Sequence, residues 1–205
     1  MKIVVFDSRV GNLHSLAKAL EAGGATVRIE PDPARLLDGD ALVLPGVGSF
    51  GAAAARLAPA AADLRAALLD GFPSLGICLG MQLLTEASDE GPGAGLGVVP
   101  GRVRRLRAPR VPHMGWNAVD AGADPLFDGT TPLVAYYANS YVVEPADPRS
   151  VIAWTEYEGE RFPAAVRARN AWGVQFHPEK SGAPGLRLIR NFLEAARHPE
   201  PEAAR

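Results

Sequence analysis

The sequence predicts an α/β fold: a mostly parallel central sheet flanked by helices, with additional antiparallel strands in the second half. Three observations carry that expectation. In the first half, short apolar runs alternate with helical stretches in a βαβα rhythm. Those runs are apolar throughout, as strands covered on both faces must be. In the second half, short β-like segments follow one another through turns, and no helix intervenes before a last amphipathic stretch.

Lys2 to Phe6 reads as the first strand, and Asn12 to Ala22 as a helix closed by Gly23-Gly24. Thr26 to Glu30 is the second strand. Ala41 to Leu44 is the third, ending at Pro45-Gly46-Val47-Gly48. An alanine-rich helix follows through Leu69, with a break expected near Pro59. A strand then runs over Pro73 to Ile77, and a helix opens over Leu79 to Glu86. Beyond Gly91-Pro92-Gly93-Ala94-Gly95, β segments are expected around 98–106, 113–119, 133–143, 151–157, 162–168 and 172–176, all read as antiparallel. An amphipathic helix over Pro184 to Arg197 should pack back on the sheet. The 205 residues suffice for one domain with a sizeable core, expected over 1–197, with a loose tail over 198–205.

Composition narrows the function. Hydrophobic residues at 47%, charged residues at 21% and a formal net charge of −2 describe a soluble protein. They argue against a surface for nucleic acid or an anionic membrane. The basic run Arg102-Val103-Arg104-Arg105-Leu106-Arg107 alternates, as a strand with one solvated face does. The single cysteine cannot form an internal disulfide, which fits a reducing compartment. Asp7 interrupts the apolar N-terminus too early for a signal peptide, and no run approaches the ~20 apolar residues of a membrane helix. A cytoplasmic location is expected.

That cysteine, Cys78, lies within Gly76-Ile77-Cys78-Leu79-Gly80, between a predicted strand and a predicted helix. Gly-x-nucleophile-x-Gly at such a junction is a nucleophile elbow, whose strained turn pushes the thiol out at the C-terminal edge of a sheet. The helix start helps to stabilise a thiolate. A lone cysteine is otherwise a small hydrophobe. Of the four histidines, His198 falls in the tail and His14 on the first helix. His177 directly follows the apolar strand Trp172 to Phe176, with Glu179 two residues on. If the chain stays extended through Pro178, the two side chains leave on one face, and the carboxylate can orient the imidazole. The alternative is a strand-end turn with a solvated Glu. Cys78, His177 and Glu179 read together as a triad for acyl transfer through a thioester. The Leu79 N–H is one oxyanion donor, and the turn Pro45-Gly46-Val47-Gly48 is the candidate source of the other.

Gly76 to Gln82, with Gln175-Phe176-His177-Pro178-Glu179, resembles the class I (triad-type) glutamine amidotransferases. Pro45 to Gly51, Pro112-His113-Met114-Gly115-Trp116-Asn117 and His177 to Ser181 resemble, more narrowly, the glutaminase subunits of imidazole glycerol phosphate synthases. The resemblance runs to about Ala196 and implies a flavodoxin-like sheet. It implies that Cys78 attacks the side-chain amide of L-glutamine, that His177 protonates the departing ammonia, and that Val47 and Leu79 hold the oxyanion. Gly48, Gln82, Glu90, Ser140 and Tyr141 match positions lining the glutamine pocket. Asn12, His113, Met114, Trp116, Asn117 and Lys180 match positions facing a partner, a (β/α)8-barrel cyclase that uses the ammonia in histidine biosynthesis. A heterodimer is thus implied, with no cofactor and no metal. Met114 and Trp116 could instead be core. Two departures stand out: Asn139 where the family commonly has His, and Arg9 and Val10 where relatives have smaller residues.

Overall fold

The computed structural model describes residues 1–7, 13–46 and 48–199. Period-two alternation in its first strands sets the layering. In β1 (Lys2–Phe6), Ile3 and Val5 join one apolar cluster, and Val4 and Phe6 join another. Of the next two strands, β2 (Thr26–Glu30) and β3 (Ala41–Leu44), the second divides in the same way, Ala41 and Val43 against Leu42 and Leu44. Strands buried on both faces have no polar side to show, hence the continuous apolar runs. Leu16 and Leu20 of α1 (His14–Ala22) and Leu188, Ile189 and Phe192 of α5 (Gly182–Arg197) close the first cluster. The second is closed by α2 (Phe50–Leu57), α3 (Ala61–Leu69) and α4 (Leu79–Leu83). The expected break at Pro59 is a 3-10 turn over Ala58–Ala60.

The central sheet has eight strands. It adds β4 (Ser74–Ile77), β8 (Asp120–Ala121), β11 (Val151–Tyr157), β12 (Glu160–Ala168) and β13 (Ala171–Val174), in the order β2-β1-β3-β4-β13-β12-β11-β8. The first five are mutually parallel and the rest antiparallel. A three-stranded sheet holds β5 (Ala87–Ser88), β6 (Gly101–Arg105) and β10 (Tyr141–Pro145), while β7 (His113–Ala118) and β9 (Val134–Asn139) form an antiparallel ribbon.

Three expectations change. Strand β13, read as antiparallel, is so only toward β12; toward β4 it is parallel, with Gly173 opposite Gly76 and Val174 opposite Ile77. The segment 133–143 is two strands in two sheets, because β9 pairs with β7 and β10 with β6. The helix after Cys78 stops at Leu83, because the Leu96, Val98 and Val99 amides take the Leu83 and Leu84 carbonyls.

Strand β13 delivers the histidine, and it is firmly held. Trp172, fully buried, donates its indole N–H to Asp124 at 3.2 Å, and Arg167 of β12 donates to the other oxygen of that carboxylate at 3.1 Å. The parallel strands β3, β4 and β13 all end at one edge, where ligand sites of such sheets form. Among the described residues, no helix is long and apolar enough to cross a membrane.

Candidate active site

Cys78 joins β4 to α4 with φ +53° and ψ −106°, a conformation rare outside glycine. Holding it costs on the order of 1–3 kcal/mol, so its surroundings must over-determine it. They do so by backbone contact. A Cβ on Gly80 would lie 1.8 Å from the Leu44 carbonyl oxygen, and one on Gly46 would lie 2.1 Å from the Ile77 oxygen and 2.2 Å from the Leu79 nitrogen. The end of β3 is therefore pressed against the elbow on both sides of the cysteine. The Cys78 N–H donates to the Val174 carbonyl at 2.7 Å, which ties the elbow to β13 as well. Leu79 opens α4, so its N–H has no partner within the helix.

His177 leaves the end of β13 and donates its backbone N–H to the Tyr136 carbonyl of β9 at 2.9 Å. The chain does not stay extended through Pro178. Pro178–Lys180 form one 3-10 turn, which folds Glu179 back until its Oε1 stands 2.9 Å from the His177 Nδ1. Ser181 secures the turn by donating its hydroxyl to the His177 carbonyl at 2.6 Å and accepting the Tyr136 N–H at 3.0 Å. Burial works against a charged ring at His177, but hydrogen bonds to Cys78 and Glu179, and Coulomb attraction to both, outweigh it and push the pKa up to about 9. A pKa raised above the ordinary 6.5 contributes stability that is fully present below about pH 6.5 and is lost as pH rises through about 9. The stability advantage of the native protein over Glu179→Gln should therefore be largest near pH 6 and shrink toward pH 10 in denaturant unfolding; a constant gap would contradict this coupling.

A cavity of about 270 Å³ opens beside the sulfur. Gly48, Gln82, Glu90, Ser140 and Tyr141 all line it, together with Cys78, Leu79 and His177. Gly48 has φ +110°, which favours glycine there. One oxygen of Glu90 accepts the Phe50 N–H at 2.7 Å, so the carboxylate also caps α2. Lys180, expected at a partner surface, lines this cavity too, with its ammonium 5.7 Å from the centre of the Tyr136 ring. Asn139 lies on the cavity wall and donates to the Tyr141 carbonyl at 3.1 Å. Asn12 and Val47, like Arg9 and Val10, lie outside the described residues.

The β7–β9 ribbon separates the remaining candidates by face. Met114 and Trp116 point outward, 60% and 58% exposed, and with Val134 at 47% they make an apolar strip; they are not core. Asn117 is half-buried and donates to the Glu156 carbonyl at 2.7 Å. His113 corrects its expectation. Its side chain is 2% exposed and stacks between Tyr137 and Tyr157, with ring centroids 4.7 and 4.0 Å away, so it offers no surface to a partner. Strand alternation decides this, since odd positions of β7 face inward. Burial alone lowers its pKa. One residue of the site was missed in the sequence. Gln175, fully buried, donates its side-chain amide to the Cys78 sulfur at 3.4 Å. The available signal was a lone amide inside an apolar strand, since a buried amide needs partners.

A thiol on a strained turn, a buried imidazole–carboxylate pair and a first-turn helix N–H at one cavity can form and break an acyl thioester. The comparisons agree with that chemistry. The family model for class-I glutamine amidotransferases matches residues 4–196. The imidazole glycerol phosphate synthase subunit HisH of Halobacterium salinarum is 48% identical over 202 residues, covering 94% of this chain and 92% of that protein. The subunit of the same name from Synechococcus elongatus is 42% identical over 208 residues, with coverages of 94% and 92%. A crystal structure described as a glutamine amidotransferase superposes with a TM-score of 0.76 at 22% identity, covering 95% of this chain and 98% of that one, a likeness of fold. With the model and these relatives spanning nearly its whole length, the chain belongs to the class-I glutamine amidotransferase family.

Proposed function

We propose that this chain is the glutaminase subunit of an imidazole glycerol phosphate synthase, hydrolysing L-glutamine to glutamate and ammonia. The observation that carries the reading is the convergence of strained Cys78 and the buried His177–Glu179 pair on one cavity, in a chain 42–48% identical to subunits of that name. Cys78 attacks the side-chain amide carbon, and the Leu79 N–H receives the developing oxyanion, joined by Val47. His177 takes the thiol proton and gives it to the leaving nitrogen, so ammonia departs and a glutamyl thioester remains. Water, deprotonated by His177, then releases glutamate. Glu179 holds the ring's tautomer. Glu90 suits the substrate ammonium, with Gly48, Gln82, Ser140 and Tyr141 shaping the rest of the cavity.

The ammonia passes to a (β/α)8-barrel cyclase subunit, and the pair makes imidazole glycerol phosphate and an aminoimidazole carboxamide ribotide in the cytoplasm. The exposed strip of Met114, Trp116 and Val134 is the surface on which that partner docks, with Lys180 beside it across Tyr136 and Asn117 bracing the ribbon from its inner face. Mixed with candidate synthase partners, the chain should turn over glutamine sharply faster only with the imidazole glycerol phosphate cyclase; equal turnover alone would favour a free-standing hydrolase. Trp116→Ala should weaken that complex by about 2 kcal/mol, roughly thirtyfold in Kd by titration calorimetry. An unchanged Kd would remove Trp116 from the interface.

A further inference from the structure

We propose that Gln175 is a positioning residue for the nucleophile, presenting a buried N–H that favours the thiolate of Cys78 and fixes where the sulfur points. The inference rests on Cys78 being the nucleophile of the proposed reaction. Its basis is a chain of amides whose direction is forced. The Tyr141 carbonyl can only accept, so the nitrogen of Gln82, 3.1 Å away, must face it. That same nitrogen lies 3.2 Å from the side-chain oxygen of Gln175, which therefore accepts. The Gln175 nitrogen is then left to face the sulfur, at 3.4 Å. Asn139 donates to the same Tyr141 carbonyl at 3.1 Å and closes the chain at the cavity wall.

Gln175 and His177 both follow the end of β13 and both meet Cys78, one offering a neutral donor and the other a proton acceptor. A neutral thiol is a poor acceptor for an N–H, whereas a thiolate is a strong one. A donor aimed at the sulfur thus stabilises the charged form selectively, and full burial of the amide keeps water from taking its place. Being uncharged, the amide leaves the proton exchange to His177.

The only cysteine of the 205 residues is Cys78, so iodoacetamide alkylation reports this sulfur alone and needs no glutamine turnover. In Gln175→Leu, the pH profile of alkylation should move up by about one unit, which slows the reaction about tenfold on its rising limb. In Gln175→Glu, which keeps the side-chain volume, the move should be larger, because a carboxylate replaces the donor. Circular dichroism confirms the fold of each variant, and if Gln175→Leu does not fold, Gln175→Glu decides. A folded variant whose profile coincides with that of the native protein would overturn the proposal and leave Gln175 a packing residue. Failure of the underlying reading shows separately, as glutamine use by Cys78→Ala.

Discussion

Cys78→Ala should abolish glutamine-dependent synthesis by the complex with the cyclase, by roughly 10⁴-fold or more, since the chain holds no other thiol and no other side chain on the strained elbow beside His177. Synthesis from added ammonium salt should be untouched, because the variant removes one atom from a cavity wall and nothing from the partner. At neutral pH the unfolding midpoint should fall modestly, since alanine keeps the φ of +53° and its cost while His177 loses the Cys78 contribution to its raised pKa. Following both nitrogen sources in one assay separates these outcomes. A variant that still used glutamine would place the chemistry elsewhere.

Gly80→Ala should be the most damaging single methyl in the elbow. The added Cβ would stand 1.8 Å from the Leu44 carbonyl oxygen, a backbone atom at the end of β3 that has no rotamer to escape into. Relief requires moving β3 or α4, and a cost above about 3 kcal/mol is expected against a total stability of about 5–15 kcal/mol. Gly91→Ala is the matched control, because a Cβ there meets nothing within 4 Å. It should be neutral or stabilising by about 0.5 kcal/mol through a stiffer unfolded chain. Denaturant midpoints compare the two directly; equal values would mean that the close approach of β3 to the elbow is wrong.

Much of this was readable where the controlling physics is local. The strands Lys2–Phe6 and Ala41–Leu44 stand where their apolar runs place them, and Pro59 breaks its helix as a proline must. Thr26–Glu30 stands where expected, but as a partly exposed edge strand and not an apolar run. The cysteine elbow was legible because its glycines answer to contacts within a few residues and to one neighbouring strand. What was not legible depends on partners far along the chain. Nothing in residues 171–174 says that one edge of the strand meets β4 and the other β12. Ser140 does not announce that the strands on its two sides belong to different sheets. His113 looked like a surface residue by its company, but strand parity turns it inward against Tyr137 and Tyr157. Glu179 meets His177 by a tight turn, a geometry that the spacing alone left open.

The pairing of the β7–β9 ribbon carries a mechanical consequence. Trp116 stands directly opposite Tyr136, and the Tyr136 carbonyl accepts the backbone N–H of His177. The Tyr136 N–H is in turn held by Ser181, which grips the His177 carbonyl. From the exposed indole to the backbone of the imidazole is thus one cross-strand pair and one hydrogen bond. A displacement of the ribbon's outer face therefore has a short bonded route to the backbone of His177.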